Sequence, residues 1–249
     1  MEKNIDKDMK ILVAAFAFNE KPYLPAWAKY YRSQGCDLLV LDNYSTDGTY
    51  EWCQENGIHT GRVDTRDAFN LLILQKALTD EIRKIKPDWV IYVGIDLYQI
   101  FPNGIRGVIK EAEEQGCNIV EVDHYEAFNT GEENHTPLTS NYFYVRKHGR
   151  LRMMGKMTDG FRLLADDMTI SNPVVFQSKG ILINYGMCKP REEREVTYKR
   201  RQKAWERGMH QGWGTHYKPA QSVNWIWDKN TLRDIRTLSG VYELIKQTQ

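Results

Sequence analysis

After a charged start, the chain runs through eight apolar positions without a break, Ile11-Leu12-Val13-Ala14-Ala15-Phe16-Ala17-Phe18, and ends them in the polar pair Asn19-Glu20. An apolar run of that length, with no alternation, reads as a strand buried on both faces, as in a parallel sheet. The pattern predicts a strand over 10–15 and a second over 37–41, where Leu38-Leu39-Val40-Leu41 ends in Asp42-Asn43. Between them Leu24, Trp27, Ala28 and Tyr31 recur at helical spacing, predicting a helix over 23–34 that Gly35 stops. A further helix is predicted from Ser45 or Thr46, either of which can cap it, to Gly57, and a third strand over 58–63. Leu71, Leu74, Leu78 and Ile82 share one face of a long helix predicted over 67–86, ended by Pro87. Trp89-Val90-Ile91-Tyr92-Val93 is a fourth buried strand, closing in Gly94-Ile95-Asp96; a helix over 105–115 and a strand over 118–122 follow.

This alternation predicts an α/β fold through about residue 125. The regularity then fades: 127–137 is polar and loop-like, 141–145 and 173–177 are candidate strands of a mixed sheet, and 192–207 is a highly charged helix. Its run Lys199-Arg200-Arg201 reads equally as a solvated face. No internal repeat or low-complexity linker divides the chain, so a single domain over 1–249 is expected. In βαβ units ligands gather at the C-terminal ends of the parallel strands, where Asn19, Glu20, Asp42 and Asp96 all stand.

Composition narrows the function. With 249 residues, 41% hydrophobic, the chain can bury a sizeable core. Its 34 basic and 33 acidic residues leave a formal charge of +1, which gives no bulk attraction to nucleic acid. The four cysteines, Cys36, Cys53, Cys117 and Cys188, have no metal-ligand or redox-pair spacing and read as small buried thiols. The charged N-terminus has no apolar signal core and no stretch offers the ~20 apolar residues of a membrane span. A cytoplasmic setting is expected, with a peripheral position at the inner membrane face as the variant. The tripeptides Asn43-Tyr44-Ser45 and Asn134-His135-Thr136 carry little weight as glycosylation sites in that setting.

The ordered series Phe18-Asn19-Glu20, Tyr23-Leu24-x-x-Trp27, Tyr30-Tyr31-x-x-x-Gly35 and Asp42-Asn43-x-Ser45-Thr46-Asp47-Gly48-Thr49 resembles the start of a family 2-like glycosyltransferase. The resemblance covers residues 10–57 well and extends to about 102. It implies a GT-A-like, Rossmann-related fold: a mixed, mostly parallel sheet flanked by helices, with a less regular helical C-terminal part. It also implies a nucleotide-binding half over about 10–125, an acceptor-side half over 126–249, and a role in polysaccharide biosynthesis. The donor would be a nucleoside-diphosphate sugar, a UDP-sugar first, and the acceptor a glycan or a lipid-linked sugar. The residues agree with that use. A pyrimidine base needs a wall and hydrogen bonds to its polar edge, and ribose hydroxyls need an acceptor. Phe18 supplies a wall, backbone near 16–18 can read the base, Asp42 is the acceptor, and Asn19 and Glu20 line the cleft. Asp47 is expected to serve the first turn of the following helix, and Gly48 the tight turn before it.

The run Trp89 to Phe101 resembles the family strand that leads into an Asp-x-Asp motif, whose carboxylates hold Mn²⁺ or Mg²⁺ on the donor diphosphate. Here Gly94 replaces the first Asp and Leu97 an acidic follower, leaving Asp96 as the tentative metal ligand and diphosphate neighbour. Ile183-Asn184-Tyr185-Gly186 resembles the segment in which the family carries His-Tyr-Gly, and Asn184 replaces the His. Two ligands are thus changed. Either a divalent cation binds loosely, or protein cations carry the leaving-group charge, with Lys189, Arg191, Arg194, Lys199 and Arg200 at hand. His216 is a rival ligand.

An inverting transfer also needs a base within ~3 Å of the acceptor hydroxyl. Ala165-Asp166-Asp167-Met168 resembles the family's acidic pair: Asp167 is the first candidate, Asp166 the second and Asp159 the third. Adjacent carboxylates raise each other's proton affinity. Trp213, Tyr217, Trp225 and Trp227 form either a packed lid or a sugar-stacking platform. The rival from another class is a non-catalytic sugar-nucleotide binder acting in a glycan pathway. A nucleotidyltransferase is disfavoured, because 16–22 is not the Gly-rich basic loop such an enzyme needs.

Overall fold

The computed structural model describes residues 9–65, 70–128, 144–164, 167–189, 191–210, 233–234 and 237–246. The first half alternates as its apolar runs require: β1 (Ile11–Ala17), α1 (Leu24–Ser33), β2 (Asp37–Asp42), α2 (Thr49–Glu55), β3 (His59–Arg62), α3 (Leu71–Ile85) and β4 (Trp89–Tyr92). Then come β5 (Leu97–Ile100), α4 (Gly104–Glu114), β6 (Ile119–Phe128), β7 (Tyr144–Lys156) and the short pair β8 (Arg162–Leu164) and β9 (Asp167–Thr169). β10 (Val175–Asn184) leads through a 3₁₀ turn (Gly186–Cys188) into α5 (Arg191–His210), followed by β11 (Arg233–Asp234) and α6 (Ser239–Lys246).

The expected mixed α/β architecture is present. The main sheet runs β3-β2-β1-β4-β7-β6-β10-β5, with β11 against β7. Strands β1 to β4 pair in parallel, as do β6 and β10; β7 is antiparallel to β4 and β6, and β5 to β10. Chain order reverses direction between β1 and β4, so the crevice beyond their C-terminal ends is a topological switch point, where open α/β sheets hold ligands. β1 and β4 are buried along almost their whole length, which explains their unbroken apolar sequence.

The second half departs from the predicted pattern. β6 extends to Phe128, into the start of the stretch expected to be a loop, and β10 extends to Asn184. β7 is 13 residues long where only 141–145 was expected as a strand. Its solvent-side sequence hid it, because Arg146, Lys147, Arg150 and Arg152 pair across to Glu126, Asp123 and Glu121 on β6. Opposite-charge pairs on facing strands support a ladder without leaving an apolar signature. β5, β8 and β9 were also not foreseen. Neither Ser45 nor Thr46 caps α2. The helix begins at Thr49 behind Gly48, whose φ of 86° is the left-handed turn expected of it, and the Thr49 N–H donates to Asp47 Oδ1 at 3.0 Å. The predicted start of α3 at residue 67 lies outside the described residues; Asn70 caps it by accepting from the Ile73 N–H at 3.1 Å.

The core under the crevice is aromatic. Tyr30 donates its hydroxyl to the Gln99 carbonyl at 2.6 Å, and Tyr31 accepts from the Gln99 N–H at 3.1 Å. Tyr98 stacks on Tyr31 at 6.2 Å and meets Tyr185 edge-on at 5.6 Å. These contacts bind α1, β5 and the end of β10 together and so anchor the chain at Asp96. All four thiols are free, and burial pushes those of Cys36, Cys53 and Cys188 up to about 12. Among the described residues no helix is long and apolar enough to cross a membrane.

Candidate functional site

The loops after β1 and β2 are sewn together by side chains. Asn19, in the left-handed region at φ 55°, donates its N–H to Ser45 Oγ at 2.8 Å and accepts the Thr46 N–H on its side-chain oxygen at 2.8 Å. The next two amides continue the seam: Glu20 N–H reaches Thr49 Oγ1 at 3.0 Å and Lys21 N–H reaches Asp47 Oδ2 at 3.1 Å. Asp47 thus lies ahead of the helix and joins the two loops, a wider role than the first-turn charge expected of it. Phe18, half-buried, follows directly on β1, and Phe16 meets Tyr92 edge-on at 5.8 Å across the ends of β1 and β4.

Asp42 is the last residue of β2 and is fully buried. Its Oδ2 accepts the Ser45 N–H at 3.0 Å and lies 3.6 Å from Arg62 Nε. Among the described residues its buried Oδ1 has no hydrogen-bond partner. A buried carboxylate oxygen without a donor is costly, and one at a strand end beside a crevice is short of a water or a ligand group. The Arg62 guanidinium lies over Tyr50 at 4.2 Å and Tyr44 at 5.5 Å. Tyr44 is 53% exposed and holds a φ of 55°, a conformation bulky residues avoid. Neither Tyr44 nor Arg62 stands out as a candidate in the sequence, since each becomes notable only through its place beside Asp42.

Asp96 sits in a tight turn that the Leu97 N–H closes by donating to the Gly94 carbonyl at 3.1 Å. The Asp96 carbonyl accepts the Tyr185 N–H at 2.9 Å, which brings the end of β10 against it. A Cβ on Gly94 would lie 2.8 Å from Asp96 Oδ1, and one on Gly186 would lie 2.9 Å from Asp96 Oδ2. A substitution at either glycine would thus push the Asp96 carboxylate from this position. Lys189 enters from the 3₁₀ turn: its Nζ lies 2.7 and 3.0 Å from the two Glu20 oxygens, 3.5 Å from Asp96 Oδ2, and 4.6 Å from the centre of the Tyr23 ring. Tyr23 in turn donates its hydroxyl to Glu193 at 2.5 Å. Of the cations proposed from sequence, Lys189 stands in the site; Arg191, Arg194, Lys199 and Arg200 lie along α5.

Among the described residues, the oxygens around Asp96 do not make a divalent cage. A hard cation wants about six oxygens. Here Asp96 and Glu20 already share an ammonium, and Asn184 Oδ1 accepts the Gly186 N–H at 2.8 Å. Among the described residues no three His, Cys, Asp or Glu side chains converge as metal ligands.

Asp167 opens β9, whose strand packs on β7. Burial raises its carboxyl above the usual value, the Met168 N–H at 2.8 Å and Arg152 lower it, and Glu121 raises it again. The β4–β7 pairing ends at Ile91 and Met154, and β7 slips in register against β6 between Met154 and Leu151, so Arg152 lies in an irregular part of the strand. Asp159 is exposed in the turn between β7 and β8. Asp166, His216 and the aromatic residues Trp213, Tyr217, Trp225 and Trp227 lie outside the described residues.

A titratable cluster unseen in the sequence lies further along the row. Glu126 faces Asn184 in register, and its Oε2 meets Arg146 at 3.0 Å and His148 Nε2 at 2.8 Å. His148 stacks on His124, ring centres 5.1 Å apart, and burial together with His148 pushes His124 down to about 4.

No protein-family model matches the chain, and no curated protein matches it in sequence. Among solved structures, that of S. aureus TarS 1-349 is similar at 11% identity over 77% of this chain and 64% of that one, with a TM-score of 0.45. TarS 1-349 in complex with UDP matches at 14% identity over 52% of this chain and 39% of that one, with a TM-score of 0.38. The complex of the same protein with UDP-GlcNAc matches at 14% identity over 52% and 38%, also with a TM-score of 0.38. The matched part spans less than two thirds of each of those chains. Similarity at this level identifies neither family nor activity.

Proposed function

We propose that the chain is a GT-A-like glycosyltransferase that moves a sugar from a nucleoside-diphosphate donor, a UDP-sugar, to a glycan or lipid-linked acceptor with inversion. The observation that carries the reading is Asp42 Oδ1, buried at the switch point without a partner among the described residues. A base N–H or a ribose hydroxyl supplies the donor it lacks. Phe18 and Tyr44 offer aromatic faces for the base, and the loop seam through Asn19 keeps the crevice in shape. Asp96 and Lys189 stand by the diphosphate, Glu20 behind them.

In the transfer the acceptor hydroxyl oxygen bonds to the anomeric carbon while the bond from that carbon to the diphosphate oxygen breaks. The electron pair leaves with the nucleoside diphosphate, and the hydroxyl proton passes to Asp167, with Asp166 as the second candidate. Burial suits Asp167 to this role because it raises its affinity for the proton.

Gly94 favours a second reading, a sugar-nucleotide binder without turnover, since it removes one carboxylate from the diphosphate end. The two readings part in an assay of UDP release from UDP-sugars with and without glycan acceptors. The transferase reading expects release from the wild type, and its loss in Asp167→Asn with UDP binding kept. Tight UDP binding with no release from any donor would leave the binder.

A further inference from the structure

We propose that the Lys189 ammonium is the resident cation of this site, standing between Glu20 and Asp96 where a divalent ion would otherwise bridge carboxylate and diphosphate. The inference rests on the nucleotide-binding reading above and deepens it: the site takes a nucleoside diphosphate with no divalent metal.

Four observations converge on it. The ammonium contacts both carboxylates at once, 2.7 Å from Glu20 and 3.5 Å from Asp96, with its side chain only 13% exposed. Three donors on one nitrogen can serve Glu20, Asp96 and a phosphate oxygen together. Its position is set by the backbone: Tyr185, fully buried, donates its N–H to the Asp96 carbonyl at 2.9 Å and accepts the Cys188 N–H at 2.8 Å, one residue before Lys189. A side chain at Gly94 would begin 2.8 Å from Asp96 Oδ1, so a second carboxylate there would require Asp96 to turn out of its place beside the ammonium. The neighbouring Asn184 side-chain oxygen is neutral and already accepts a backbone N–H.

The charges explain why these features belong together. Two carboxylates alone would repel a diphosphate and demand a divalent ion. With one ammonium between them the excess negative charge is halved, and a second cation at the same place is repelled. The lysine stem is flexible enough to turn the ammonium from Glu20 toward a phosphate oxygen as the diphosphate arrives, while Asp96 keeps it aimed. Substitution of Lys189 would then do two things: weaken nucleotide binding, and free Glu20 and Asp96 to take up a metal.

The test uses the full chain, UDP as the nucleotide probe and Mn²⁺ as the metal probe. UDP affinity is measured by calorimetry in EDTA and in Mn²⁺ for the wild type, Lys189→Arg and Lys189→Ala, with thermal melts to confirm folding. Mn²⁺ uptake without nucleotide is followed by electron paramagnetic resonance. The wild type is expected to bind UDP equally in EDTA and in Mn²⁺, and to take up no Mn²⁺. Lys189→Ala is expected to lose about tenfold or more in EDTA, the scale of one charge-assisted hydrogen bond, to recover part of it in Mn²⁺, and to take up Mn²⁺. Lys189→Arg, which keeps the charge, stays within a few-fold of the wild type in EDTA. Wild-type UDP binding that vanishes in EDTA and returns with Mn²⁺ overturns the inference. If UDP fails to bind under either condition, the nucleotide reading falls, and Mn²⁺ uptake decides the rest. Uptake by Lys189→Ala alone upholds Lys189 as the resident cation, and uptake by the wild type, or by neither protein, overturns it.

Discussion

The side-chain oxygen of Asn19 receives the backbone N–H of Thr46 at 2.8 Å, so a residue at the end of β1 fixes the loop that follows β2. Asn19 also holds a φ of 55°, which Ala resists and Gly accepts. Asn19→Ala is expected to destabilise the protein by about 2 kcal/mol, part lost hydrogen bond and part backbone strain. Asn19→Gly should lose only the first part. Both should weaken UDP several-fold, because the seam shapes the crevice. Urea melts and calorimetry on the pair separate the two effects. A Gly variant that binds UDP as tightly as the wild type would remove the seam from any role in binding.

Tyr44 is an exposed aromatic side chain linked to the Asp42 carboxylate through Arg62. If its ring carries the base, Tyr44→Ala costs about 1–3 kcal/mol of nucleotide affinity, while Tyr44→Phe costs little. Phe18→Leu is the matched control for the wall expected from sequence. An affinity unchanged by Tyr44→Ala and lowered by Phe18→Leu would return the base to Phe18.

Asp167 should govern the acid side of the turnover profile. A base must be ionised to accept the acceptor proton, and burial raises this carboxyl above the ordinary 3.8. Turnover should therefore fall as pH drops through a value above 3.8, the direction set by the raised proton affinity. Asp167→Asn is expected to remove about 10²–10⁴ of the rate and to abolish this limb. A limb that persists unchanged in that variant would transfer the role to another group, with His148, held by Glu126 at 2.8 Å, the next to examine.

His124 predicts a stability effect. Burial first, and His148 second, push it down to about 4, below its usual 6.5. The unfolded chain therefore binds the proton more readily across that interval, so stability falls as pH drops from 6.5 toward 4. The loss between about pH 7 and about pH 5 is on the order of 1–2 kcal/mol, allowing for its partial exposure. Urea unfolding at the two pH values should show this slope in the wild type and a flatter one in His124→Gln. Equal slopes would mean that His124 protonates in the folded state as easily as in the unfolded one.

What the sequence made legible follows from burial. Strands β1, β2 and β4 lie inside the sheet, so their codes are plain apolar runs, and the polar residues closing them mark the crevice edge. Asp42 closes β2 and Asp96 follows β4 in that manner. β7 was missed because its strand is written in Arg and Lys that answer Glu and Asp on β6, a pairing visible only once the strands are adjacent. Lys189 was one of five candidate cations in the sequence, and only the turn from Tyr185 to Cys188 singles it out. Gly94 reads as a lost ligand, and the structure adds that the Asp96 carboxylate stands 2.8 Å from where its Cβ would be. Ser45 and Thr46 were assigned to a helix cap by residue type, yet they face Asn19, a partner 26 or 27 positions away.

The most direct test of the account is a calorimetric titration with UDP, GDP, CDP and dTDP, on the wild type and on Asp42→Ala. The account predicts micromolar binding of UDP, weaker binding of the others, and loss of UDP binding in a folded Asp42→Ala. No binding of any of the four by the folded wild type, or UDP binding untouched by Asp42→Ala, would contradict it.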